Sequence, residues 1–79
     1  DQTKFAIVTE IQRHFRQTRE VIDIDGARIR FPHGWGLVRA SNTQPSLVIR
    51  FEADTEPHLA EIRAEVETVL NRVRRQIEG

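Results

Sequence analysis

The sequence predicts an α+β fold: a two-layer sandwich in which a four-stranded antiparallel sheet carries two helices on one face. Three observations predict it. Apolar residues recur at helical spacing near both ends of the chain, they alternate with polar ones between Val21 and Ala53, and turn chemistry interrupts that alternation three times. One apolar sheet face and two amphipathic helices bury all their apolar surface together only if both helices pack on that face.

The elements follow in order. Lys4 to Gln17 reads as a helix, with Phe5, Val8, Ile11 and Phe15 on one face and Thr3 as its N-cap. Gln17 to Glu20 is a polar connection. From Val21 to Phe31 the period becomes two: Ile22 and Ile24 alternate with Asp23 and Asp25, then Ala27, Ile29 and Phe31 alternate with Arg28 and Arg30. Asp25-Gly26 is a two-residue hairpin signal. That turn opposes Ile24 to Ala27, Asp23 to Arg28 and Ile22 to Ile29, so apolar pairs share one face and opposite charges meet on the other. Phe31-Pro32-His33-Gly34 makes the next turn. Trp35 to Ala40 is a third strand, and Ser46 to Ala53 a fourth, with Leu47, Ile49 and Phe51 pointing one way. The face away from the helices should carry Asp23, Arg28, Arg30 and Arg50. Asp54-Thr55-Glu56-Pro57 opens the second helix, where Thr55 can cap and Pro57 is tolerated in the first turn. Leu59, Ile62, Val66, Val69, Leu70, Val73 and Ile77 keep helical spacing. Glu56, Glu61, Glu65 and Glu67 lead and Arg72, Arg74 and Arg75 close, an order that complements the helix dipole.

Composition narrows the function. The 79 residues are enough for one small domain, residues 1–79, which hides only about 60% of its unfolded surface. With 38% hydrophobic and 30% charged residues the chain is globular, and 12 basic against 12 acidic side chains argue against a nucleic-acid partner. No cysteine is present, which removes disulfides and thiolate metal sites and fits a reducing, cytoplasmic setting. Apolar runs fall short of the roughly 20 residues a membrane span needs, and no signal-peptide layout opens the chain. It begins at Asp1, almost directly in a helix, and reads as a piece of a longer protein.

The stretch from Arg39 to Pro45 holds the chemistry. Arg39 presents a planar fork of donors suited to carboxylate or phosphate, Ser41 and Thr43 offer hydroxyls, and Asn42 offers an amide. In an extended segment Arg39, Ser41 and Thr43 would point to one spot. Between Asp25 and Glu52 there is no carboxylate but four arginines: Arg28, Arg30, Arg39 and Arg50. On chemistry alone, an anion site and a polar loop that satisfies its own backbone are level. Asp23-Ile24-Asp25-Gly26 superficially suggests a metal loop, but the further ligands and terminal Glu of an EF-hand are missing and the hairpin accounts for each residue. His14, His33 and His58 lack metal-motif spacing and read as surface residues, with His33 close enough to the loop to add charge. Trp35, between Gly34 and Gly36, reads as core or interface packing.

Read together, DGARIRFPHGWGLVRASNTQPSLVIRFEAD, from Asp25 to Asp54, resembles the C-terminal domain of the α-D-phosphohexomutases, in particular their bacterial phosphomannomutase/phosphoglucomutase branch. The resemblance reaches back to Lys4-Phe5-Ala6-Ile7 and on through the last helix. It implies a TATA-binding-protein-like fold, with a further strand ahead of the first helix in the family. It implies an Arg-x-Ser-Asn-Thr-x-Pro loop that grips the phosphate not being transferred, which here is Arg39, Ser41, Asn42 and Thr43; the residues themselves add Arg50, Gly36 and His33 as candidate supports. The implied enzyme is an intramolecular phosphotransferase that interconverts hexose 1-phosphate and hexose 6-phosphate through a hexose 1,6-bisphosphate. Its phosphoserine loop and its Mg²⁺ loop belong to other domains, and neither motif occurs in this sequence. Ser41 and Ser46 lack a base and a metal, so no catalytic residue is expected here. The implied partners are the phosphosugar and sister domains of the same chain. The competing reading is a stand-alone α+β protein-interaction module with no catalytic role.

Overall fold

The computed structural model describes residues 2–44 and 46–78; Asp1, Gly79 and Pro45, the expected end of the anion loop, lie outside the described residues. The elements are α1 (Gln2–Arg16), β1 (Val21–Ile22), β2 (Ala27–Phe31), β3 (Gly34–Ala40), β4 (Leu47–Ala53) and α2 (Glu56–Glu78). The four strands form an antiparallel meander in chain order, β1-β2-β3-β4. Both helices pack against each other and against the same sheet face, as the periodicities require.

Helix α1 buries Ile7, Val8, Ile11 and Phe15, whereas Phe5 is 54% exposed. At 3.6 residues per turn Phe5 lies about 120° round the helix from Ile11, too far to share its stripe, while Ile7 falls inside it. Thr3 is within the first turn of α1 and not at its cap. Helix α2 starts where expected: the amide of His58 donates to Thr55 Oγ1 at 3.3 Å, and that of Leu59 to the Thr55 carbonyl at 2.9 Å. Its stripe of Ile62, Val66, Val69, Leu70 and Val73 meets Ile11 and Phe15 of α1 over Ala27, Ile29 and Val38 of the sheet. Each large side chain so buried contributes about 1.5–3 kcal/mol. Arg19 ties the layers at one end. Its Nε and an Nη donate to Glu65 at 2.9 and 3.0 Å, and its guanidinium lies 4.2 Å from the Phe31 ring centroid.

The first hairpin departs from expectation by one residue. Val21 faces Ile29 and Ile22 faces Arg28, leaving Asp23 to Gly26 as a four-residue loop. A two-residue type I′ turn needs positive φ at both central positions, and in this hairpin only Gly26 has it, at +146°. A one-residue slip exchanges faces. Val21 therefore packs on the core, Ile22 passes to the open face, and Ile24 is 85% exposed instead of opposing Ala27. Asp23, expected across from Arg28, pairs with Arg16 of α1.

Candidate functional site

The open face of the sheet is built by register. Arg28, Leu37 and Arg50 lie side by side across β2, β3 and β4; Arg30, Trp35 and Glu52 form the next row, and Arg39 faces Val48. Leu37 is buried although no helix covers it, in a depression of about 330 Å³ whose walls include Arg28, Arg39 and Arg50. Arginine stems shield an apolar residue while their guanidinium heads stay in water. Arg28 lies 4.8 Å from the Trp35 ring centroid and Arg30 is 3.6 Å from Glu20. Among the described residues the side chains of Arg39 and Arg50 make no hydrogen bond or ion pair. Asp25 lines the same depression, so three guanidiniums stand against one carboxylate. Such a surface attracts anions.

The hairpin between β3 and β4 is held from both sides. The Ser41 amide donates to the Ser46 carbonyl at 3.0 Å, closing its base. Ser41 Oγ accepts from the amides of Thr43 and Gln44 at 3.4 and 3.3 Å, a local turn that leaves the hydroxyl proton free to donate elsewhere. From α1, the Lys4 ammonium donates to the Ser41 carbonyl and, at 2.9 Å, to the Gln44 carbonyl. Lys4 thus fixes the loop through two of its carbonyl acceptors and takes none of its donors.

These details revise the expected convergence. Strand β3 ends at Ala40, so the two-residue alternation expected to align Arg39, Ser41 and Thr43 does not carry through the loop. What comes together is Arg39 with Asn42, on a second depression of about 410 Å³. Gly26 lies below Arg39: a Cβ on it would sit 2.7 Å from both Arg39 Cβ and the Val38 carbonyl oxygen. Of the supporting residues, Arg50 shares the depression with Arg39. Gly36 faces the core, where a Cβ would meet Val66 Cγ2 at 3.2 Å. His33 follows β2 at the far end of β3, about 20 Å along the strand from the loop, and cannot contribute there. Trp35 is half-buried on the open face and not in the helix-covered core.

His33 instead meets two residues that the sequence separates widely. Its Nδ1 is 3.2 Å from Asp54 Oδ2, His58 Nδ1 is 2.6 Å from Asp54 Oδ1, and the two imidazoles stack at 3.8 Å with planes 4° apart. The hydrogen bond from His58 and, secondarily, the charge of both rings hold the Asp54 carboxyl below the usual carboxylate range. Spacing rules miss this cluster because its members come from a turn, a strand end and a helix.

An antiparallel sheet backed by two helices, with a cationic open face beside a braced hairpin, is the class of domain these observations define. Residues 1–69 match the family described as phosphoglucomutase/phosphomannomutase, C-terminal domain, and the chain belongs to that family. It is 50% identical over 64 residues to a phosphomannomutase/phosphoglucomutase of Pseudomonas aeruginosa, covering 80% of this chain and 14% of that protein. A phosphoglucomutase of Neisseria gonorrhoeae is 50% identical over 65 residues, which is 82% of this chain and 13% of the other. A solved phosphoglucomutase/phosphomannomutase family protein from Burkholderia thailandensis superposes with a TM-score of 0.80 at 33% identity, over 90% of this chain and 16% of that one. The chain thus spans about one seventh of the length of these relatives.

Proposed function

We propose that this domain holds, in a phosphohexomutase, the phosphate of the hexose phosphate that is not being transferred. The observation that carries the reading is Arg39: an exposed guanidinium without a partner among the described residues, flanked by Arg50 and Arg28 and by Asn42 of a braced hairpin. Arg39 would take two phosphate oxygens through its fork, and Asn42 and the Ser41 hydroxyl would donate to the others. The Thr43 and Gln44 amides now make only long bonds to Ser41 Oγ, and a phosphate oxygen is a stronger acceptor for them.

Anchoring one phosphate positions the opposite end of the sugar for in-line transfer, which is catalysis by orientation. A bisphosphate intermediate must be presented both ways round, and one site that accepts whichever phosphate is idle serves both. Serine transfer chemistry and Mg²⁺ belong to loops absent from this sequence, so no chemical step is routed through these residues. Phe5 and Ile24, exposed beside Arg39 and Asn42, offer an apolar seat for a sister domain that closes over the substrate. Among the described residues no helix is long and apolar enough to cross a membrane, and a cytoplasmic setting is part of the proposal.

The test is Arg39→Ala in the mutase that carries this domain. Loss of a charge-assisted contact should lower kcat/KM about 10- to 100-fold, with circular dichroism unchanged. Wild-type kinetics would remove the assigned role.

A further inference from the structure

We propose that His33, Asp54 and His58 form a site for a divalent transition metal that favours imidazole, with zinc(II) as the cation to test. Among the described residues they are the one group of three such side chains whose ligand atoms all lie within 4.8 Å of one another. Zinc bonds to nitrogen and carboxylate oxygen run about 2.0–2.2 Å, which puts tetrahedral ligand atoms about 3.4 Å apart. His33 Nδ1, 3.2 Å from Asp54 Oδ2, is near that spacing, whereas His58 Nδ1, 2.6 Å from Oδ1, must draw back by about 0.8 Å to reach it. Two imidazoles and one carboxylate form a donor set suited to zinc, with a fourth position open to water.

The supports of the three ligands are fixed before any metal arrives. The amide of Asp54 donates to the carbonyl of His33 at 3.0 Å, joining the β2–β3 turn to the end of β4. His58 sits in the capped first turn of α2. The side chains need only a small change. Their stacked rings must splay so that both Nδ1 lone pairs aim at one point, and His33, 53% exposed, has room to turn. Each Nδ1 now faces a carboxylate oxygen, so the ring proton must shift to Nε2 or leave to solvent as the metal binds.

Charge decides whether a cation is welcome there. The N-terminus of α2 opposes it with roughly half a positive charge. Asp54 supplies a full negative charge in direct contact, Glu56 begins the helix, and Glu61 lines the adjoining depression. Arg19, which lines the same depression, is already held by Glu65. A metal would clip the β2–β3 turn to the start of α2, at the end of the sheet away from Arg39. It would act on stability and leave anion binding alone, so the proposal stands apart from the phosphate reading.

The experiment titrates the chelator-treated chain with zinc chloride by calorimetry, then with cobalt(II) by visible absorption. One equivalent should bind saturably, raise the thermal midpoint, and give cobalt d–d bands of a low-coordinate N/O site. His33→Gln and His58→Gln should each weaken binding at least about tenfold, with circular dichroism unchanged, whereas His14→Gln, on α1, should not. Absence of saturable binding to the wild type would overturn the proposal and leave a hydrogen-bonded His–Asp–His clasp. Binding that survives both substitutions, or that moves with His14, would overturn it as well.

Discussion

Replacing Lys4 by Met should loosen the hairpin without dismantling the sheet. The substitution keeps an apolar stem of similar length and removes only the ammonium, which bonds the carbonyls of Ser41 and Gln44. A hydrogen bond from a charged donor is worth about 1.5–3 kcal/mol when desolvated. One of these bonds is part-buried and the other exposed, so both are discounted for solvent, to about 1 kcal/mol together. That corresponds to roughly a fivefold rise in the open population of the loop. Hydrogen exchange at the Ser41 amide, which donates to Ser46, reads that population directly. Protection should fall about fivefold, inorganic phosphate should bind more weakly by a similar factor, and Lys4→Arg should restore much of both. A global loss of 1 kcal/mol would lower the thermal midpoint by about 4–8 °C, and a purely local opening by less. Unchanged Ser41 protection in Lys4→Met would refute the bracing role.

Two further predictions test the hairpin beneath the site. Val21→Ser should destabilise by about 1–3 kcal/mol because it puts a hydroxyl on the core face, while Ile24→Ser, at an 85% exposed position, should stay within about 0.5 kcal/mol; urea titration of both checks the register, and the reverse ranking would restore the two-residue turn. Gly26→Ala should cost about 1–3 kcal/mol, since φ is +146° and the new methyl would press on Arg39 Cβ and the Val38 carbonyl; it should also weaken phosphate binding, and an unaffected affinity would show that Arg39 is not positioned from below.

The architecture was legible because two periods and three turn signals agreed. Helical spacing through Ile11 and Phe15 and through Ile62 to Val73 required two helices with one buried stripe each, and alternation at Ala27, Ile29 and Phe31 required a sheet with one apolar face. The placement of Arg28, Arg30 and Arg50 together on the other face followed from the same alternation. The register of β1 was not legible. Asp25-Gly26 is compatible with both a two-residue and a longer turn, and the choice fell to whether Val21 or Ile22 packs better on the core, a tertiary matter. Lys4 was missed for a related reason: its reach to the hairpin depends on how α1 lies on the sheet, which no local pattern encodes. His33 was misplaced because closeness in sequence to β3 says nothing about which end of the strand carries the loop.

Phosphate recognition by this domain is tested most directly by an amide chemical-shift titration of the chain with glucose 1-phosphate, carried to tens of millimolar, with glucose as the neutral control. The phosphate reading predicts saturable shifts at Arg39 and Ser41 to Gln44, with weaker ones at Arg28 and Arg50, and none with glucose. Shifts absent from that set, or equal for the two sugars, would contradict it.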